Sequence, residues 1–183
     1  IFITHHHSDH IDGVPELVAA FHPEVIGAAR DAHRLPPLDT AVEPGETYDL
    51  WGRDVQVLDA AGHTTGHVAY YVPKAGAVFT GDSLMALGCG RLFEGTADQM
   101  WATLSRLAGL PDDTIVCSGH EYTAANARFA RTIEPDNPAL ADRTARIEQA
   151  RAIGTPTVPS ALAEEKATNP FLRAGLDEVK RAD

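Results

Sequence analysis

The sequence predicts a mixed α/β domain that runs into a helical tail. Three features predict it. Short β-prone apolar runs recur through the first two thirds of the chain, each stopped by glycine or by a polar cluster. Helical patterns with their own start and stop residues lie between these runs. From Thr123 onward the pattern is almost wholly helical.

Taken in order, Ile1-Phe2-Ile3 reads as the end of a buried strand, and a polar loop follows it. Gly13 breaks the loop and Pro15 suits a first helical residue, ahead of Glu16 to Phe21. Glu24 to Ala28 reads as a strand, and residues 35–47, rich in proline, as loop. Tyr48 to Leu50 and Asp54 to Leu58 flank a turn at Trp51-Gly52-Arg53. Val68 to Val72 and Ala77 to Thr80 flank another at Lys74-Ala75-Gly76, so two hairpins are expected. Thr96 to Gln99 fits a capping box for a helix that Gly109 and Pro111 end. Thr114 to Cys117 is again a strand. Helices follow from Thr123 to Ile133 and from Pro138 to Ile153. A rigid connector, Thr155 to Ser160, leads into a short last helix. The boundaries expected are 1–122 for a metal-binding domain and 123–183 for a helical substrate-binding domain.

At 183 residues, with 44% apolar and 22% charged residues, the chain has the make-up of a soluble globular protein that can bury a real core. No apolar run is long enough for a membrane helix, and no signal peptide is visible. The chain opens without Met inside an apparent strand, so a further amino-terminal part is expected ahead of it. Cys89 and Cys117 make no disulfide framework, which points to a cytoplasmic protein. The net charge of −11 falls on residues 1–127, with 6 Lys/Arg against 17 Asp/Glu; residues 128–183 hold 9 of each. That balance speaks against a nucleic-acid partner. A monomer is expected.

The stretch Thr4-His5-His6-His7-Ser8-Asp9-His10 reads H-x-H-x-D-H. On extended backbone His5 and His7 share a face. Imidazoles suit zinc and its neighbours, and Asp9 adds a harder donor. A tag remnant would be uniform and would not carry an aspartate here. Three more ligand-type residues follow apolar runs and sit among glycines: His63 in Gly62-His63, Asp82 in Gly81-Asp82 and His120 in Gly119-His120. Strand ends that meet at one rim are where sheet folds place their sites. Singly, each histidine has the ordinary reading of a hydrogen-bonded core residue; together with the opening cluster they read as ligands. His6 and His22 read as surface residues and His33 as loop. His67 reads as a structural hydrogen bonder, and both cysteines as packing residues.

This four-part pattern resembles the metallo-β-lactamase superfamily. The resemblance implies a four-layer αββα sandwich, here without its first strands, plus a small helical carboxy-terminal domain. It implies two divalent metal ions, zinc with iron or manganese as alternatives. His5, His7 and His63 would hold one ion, Asp9, His10 and His120 the other, and Asp82 would bridge. Within the superfamily, Gly88-Cys89-Gly90-Arg91-Leu92-Phe93-Glu94-Gly95-Thr96, Gly119-His120-Glu121-Tyr122-Thr123 and Asn169-Pro170-Phe171-Leu172-Arg173 resemble glyoxalase II, the hydroxyacylglutathione hydrolase family. That implies hydrolysis of S-D-lactoylglutathione to D-lactate and glutathione, in methylglyoxal detoxification. Arg91, Phe93, Tyr122 and Arg173 would line the glutathione site. Asp9 and Asp82 would serve catalysis, with metal-activated water as the nucleophile. A thiolate leaves without a strong general acid, so no Ser-His-Asp arrangement is needed. The rival readings are a single-iron persulfide dioxygenase-like enzyme, a metal-dependent phosphodiesterase and a metal-binding module without catalysis.

Overall fold

A computed structural model describes residues 1–180. The opening run is not a strand. Phe2 makes one parallel bridge to Ile26, and Ile3 N–H donates to the Ile26 carbonyl at 2.8 Å. The second half of the histidine cluster then coils into a single turn, α1 (Ser8–Ile11), and α2 (Val14–Phe21) follows it. β1 (Ile26–Ala28) pairs in parallel with β2 (Thr40–Val42), a strand inside the stretch expected to be loop. The two expected hairpins form as β3 (Thr47–Asp49) with β4 (Asp54–Asp59), and β5 (Val68–Val72) with β6 (Ala77–Gly81). A small hairpin of β7 (Leu84–Met85) and β8 (Gly88–Cys89) was not foreseen. Helix α3 (Ala97–Ala108) starts at the Thr96–Gln99 capping box, and β9 (Ile115–Ser118) follows. The tail is α4 (Thr123–Ile133), α5 (Pro138–Ala152), β10 (Ser160–Ala161), α6 (Leu162–Thr168) and α7 (Asp177–Lys180).

The main sheet has six strands in the order β10-β9-β6-β5-β4-β3. Its alternating side chains build two cores, as the period of two requires. Val55, Val57, Val68 and Tyr70 face Ile26, Ala28 and Val42 of the small β1–β2 sheet. Ala69, Tyr71, Val78 and Val116 face Met100, Leu104 and Leu107 of α3. Beyond the small sheet, Val14 and Val18 of α2 pack on Ile3 and Val25. The layers are therefore helix, sheet, sheet, helix. A fourth cluster packs α4 and α5 together over Leu87. No helix among the described residues is long and apolar enough to cross a membrane.

β6 and β9 run parallel and adjacent. Their carboxyl ends lead directly into Asp82 and Gly119-His120. The β4–β5 connection carries His63 and His67, and Val68 N–H donates to the Thr4 carbonyl at 2.9 Å, which holds the histidine cluster against the same rim.

Candidate metal centre and cleft

Parallel pairing of β6 with β9 places two ligand-type residues side by side, and the backbone at Gly119 makes room for them. A Cβ on Gly119 would come within 2.6 Å of Asp82 Oδ1 and 2.7 Å of the His10 ring. The glycine that preceded His120 in the sequence is therefore a matter of space.

The rim gathers donors in three overlapping groups: His5, His7 and His63; His5, His10 and Asp82; and Asp9, His10 and His120. Within each group one donor atom per residue lies within 4.8 Å of the others. His7 Nδ1 sits 3.1 Å from His5 Nε2 and 3.0 Å from His63 Nε2. The His63 Nδ1 faces the Arg91 carbonyl at 2.7 Å. A carbonyl only accepts, so Nδ1 carries the proton and Nε2 turns a bare lone pair to the rim. Asp82 stands between the groups, with Oδ1 3.3 Å from His10 Nε2, and Oδ2 3.5 Å from His63 Nε2 and 3.4 Å from His120 Nε2. His120 Nε2 is 3.1 Å from Asp9 Oδ2.

The electrostatics suit a cation. Burial lowers the His5 pKa far below the imidazole range, and the neighbouring rings of His67, His10, His63 and His7 lower it further. Burial and His63 lower that of His7 as well. Both stay neutral, the form that ligates. Burial works to raise the Asp82 pKa, yet His10, His120 and His63 hold it below the usual carboxylate range; the carboxylate in turn raises that of His10. Asp82 Oδ1 is buried with no hydrogen bond of good geometry. Converging lone pairs and an orphaned carboxylate oxygen fit a divalent metal better than they fit one another.

His67 is fully buried and stacks on His5 at 4.6 Å. The Asp82 N–H donates to its Nε2 at 3.1 Å, so its part here is a structural hydrogen bond, and burial lowers its pKa to about 3. His22 and His33 are exposed. His6 departs from its expected surface position: it is half-buried and faces Asp31 and Glu94.

A cleft of about 580 Å³ opens over the rim, lined among others by His7, Asp82, Arg91, Phe93, His120 and Tyr122. Phe93 packs edge-on against His7 and His63, and Tyr122 stacks on His120 at 5.1 Å. Arg173, expected beside these residues, is not on the cleft lining. It lines a second cavity, where its Nε and Nη2 pair with Glu134 at 2.9 to 3.0 Å. Of the lining residues outside the expected site, Cys89 and Asn126 carry polar side-chain atoms. Cys89 had been read as packing only, and burial pushes its thiol up to about 12. Asn126 lies on the face of α4 that buries Thr123, Ala127 and Ala130, where a polar residue is out of pattern.

The comparisons with known proteins agree with this geometry. Residues 1–120 match the model of the metallo-β-lactamase superfamily, and residues 121–183 that of the hydroxyacylglutathione hydrolase C-terminus. A protein of Ruegeria pomeroyi named hydroxyacylglutathione hydrolase is 66% identical over 174 residues, which cover 95% of this chain and 68% of that one. The chain belongs to the hydroxyacylglutathione hydrolase family. A family member of the same name from Jannaschia sp. is 66% identical over 179 residues, covering 98% of this chain and 70% of its own. Among solved structures, a B3 metallo-β-lactamase, BLEG-1, shares the fold at TM-score 0.69 and 22% identity, over 94% of this chain and 76% of that one. TTHA1623, crystallised in a di-iron-bound form, matches at TM-score 0.57 and 34% identity, over 66% of this chain and 68% of that one. With family and donor groups together, the rim is suited to a binuclear metal site.

Proposed function

We propose that this chain hydrolyses S-2-hydroxyacylglutathione thioesters, S-D-lactoylglutathione foremost, to a 2-hydroxy acid and glutathione. The observation that carries the reading is the run of overlapping donor groups around Asp82 under a cleft that Arg91 lines. Relatives 66% identical bear the name hydroxyacylglutathione hydrolase, which favours thioester hydrolysis over a single-iron dioxygenase.

In this reading His5, His7 and His63 would hold one cation and Asp9, His10 and His120 the other, with Asp82 available to both. Zinc suits the imidazole-rich donor set, with iron or manganese as alternatives. Dications held there would supply a water acidified towards ~7 and a Lewis acid for the thioester carbonyl. Asp9, more exposed than the other donors, accepts a hydrogen bond from the attacking water and orients it. Arg91 pairs with a glutathione carboxylate. Phe93 supplies an apolar wall that keeps bulk water from the thioester, and Tyr122 presents its hydroxyl to the cleft. The leaving thiol has an ordinary pKa of ~8.5, so it departs without a dedicated general acid. Residues 1–122 carry the metal donors, and residues 123–183 frame the substrate side through α4. The chain acts as a cytoplasmic monomer in methylglyoxal detoxification.

The test is metal content together with S-D-lactoylglutathione hydrolysis on the purified chain. Two metals per chain and turnover are expected. Two metals without thioester hydrolysis would sink the substrate, and no metal uptake would sink the whole reading.

A further inference from the structure

A second polar cluster lies against the three-imidazole group and has no part in the reaction described above. Asp31 is 2% exposed, a depth at which carboxylates need partners. Its Oδ1 accepts from Arg34 Nε at 2.8 Å; its Oδ2 lies 3.3 Å from His6 Nδ1, without a well-aligned hydrogen bond between them. Arg34 continues to Glu94 through Nη1 to Oε1 at 2.5 Å and Nη2 to Oε2 at 3.1 Å. Glu94 Oε2 accepts from both the N–H and the hydroxyl of Thr65, at 2.9 and 3.1 Å. Gly66 makes the approach possible, since a Cβ there would run into the Asp31 carboxyl group.

Every anchor of this cluster sits next to a proposed ligand. His6 lies between His5 and His7. Thr65 lies two residues after His63. Glu94 belongs to the loop that clasps His63, in which Phe93 N–H donates to the His63 carbonyl at 3.2 Å and Gly95 N–H to that of Gly62 at 3.1 Å. The flat, many-pronged guanidinium of Arg34 is thus the joint between segments that meet only at the rim. Among the described residues the cluster's side chains make no hydrogen bond to any ligand side chain; their bonds fall on the chain segment just after His63, and none falls on the segments of Asp9, His10 or His120. Only Asp31 is buried; Arg34 and Glu94 are 27% and 26% exposed, and ion pairs at that depth add little stability for their own sake. The value of the cluster lies in fixing geometry, and outer partners of metal ligands commonly do that.

We propose that Asp31, Arg34 and Glu94 are positioning residues for the three-imidazole group, holding His5, His7 and His63 at the spacing that one cation requires. The inference rests on the binuclear reading above. It is tested by stepwise zinc removal from the full chain with a chromophoric chelator. Wild type should release two zinc ions. In Arg34→Ala and Glu94→Gln one of them should leave at about 10- to 100-fold lower chelator concentration, while the other keeps its wild-type midpoint. Arg34→Lys should recover part of the shift. The milder Thr65→Val should show the same selective shift, reduced in size, and keeps the test open if the charge variants fold poorly. In the same variants kcat for S-D-lactoylglutathione should fall with KM unchanged. A lower Tm with both midpoints unmoved, or an equal shift of both, overturns the proposal. A wild-type chain that binds no zinc overturns the binuclear reading and this inference together; two zinc ions in wild type with unmoved variants overturn the inference alone.

Discussion

The rim and the helical tail both bury charge, and they treat it differently. In the tail, Arg143 is buried beside Glu165 and also donates to Thr168 Oγ1 at 2.7 Å. The other oxygen of Glu165 accepts from Leu87 N–H at 2.8 Å. Asn169 Nδ2 donates to the carbonyls of Met85 and Gly88 at 3.1 and 3.0 Å. The two Glu165 oxygens and the Arg143 prongs thus find protein partners. At the rim, Asp82 Oδ1 has only a poorly aligned His10 nitrogen at 3.3 Å, and imidazole nitrogens face one another. A buried network completed by the protein is a brace. One left incomplete, with lone pairs aimed at a common point, is a site awaiting a cation.

The largest effect that would break this contrast is at Asp82. Asp82→Ala should lower kcat by about 10²- to 10³-fold, the scale of losing one preorganised group, and should strip metal while leaving the apo fold intact by circular dichroism. An unfolded Asp82→Ala protein would mean that the rim braces the fold after all. The reciprocal change is Arg143→Ala, which leaves Glu165 buried without its partner. It should cost about 3–5 kcal/mol of stability in urea unfolding, with metal stoichiometry unchanged. A smaller effect is expected at the cleft wall. Arg91→Ala should raise KM about tenfold, or about 1.4 kcal/mol of binding, with kcat nearly kept, as steady-state kinetics would show. The mildest effect concerns pH. The hydrogen bond from Arg34, with those from Thr65, lowers the Glu94 pKa from 4.5 to about 2 against the pull of burial. The unfolded chain therefore takes up a proton first, and the Glu94 contribution is full above pH ~4.5 and fades between there and pH ~2. Thermal melts from pH 6 to 3 should fall more steeply for wild type than for Glu94→Gln.

The donor set of the rim was open to reading because each donor is announced locally. His5, His7, Asp9 and His10 crowd into one short stretch, and His63, Asp82 and His120 each follow a glycine. The helix–sheet–sheet–helix layering came by resemblance, and the cores show its cause in the alternation of Val55, Val57, Tyr70 and Tyr71. What escaped reading is non-local or too short for periodicity. β7, β8 and β10 are two residues each, and α1 is a single turn without an apolar stripe. Nothing in the chain announces Glu134, 39 residues earlier, as a partner of Arg173. Asp31 ends a short 3-10 turn (Ala29–Asp31) and Arg34 and Glu94 stand in loops, with no shared period, and only the folded chain brings them together.

β10 has a consequence of its own. Ser160 and Ala161 pair with Val116 and Ile115 of β9, so the tail supplies the outermost strand of the main sheet. A chain ending before residue 160 would leave β9 with open amides and carbonyls, beside an Ile115 that is already 39% exposed. Such a border is a template for another copy. Shortened forms of this protein should therefore clump before they lose their metal donors.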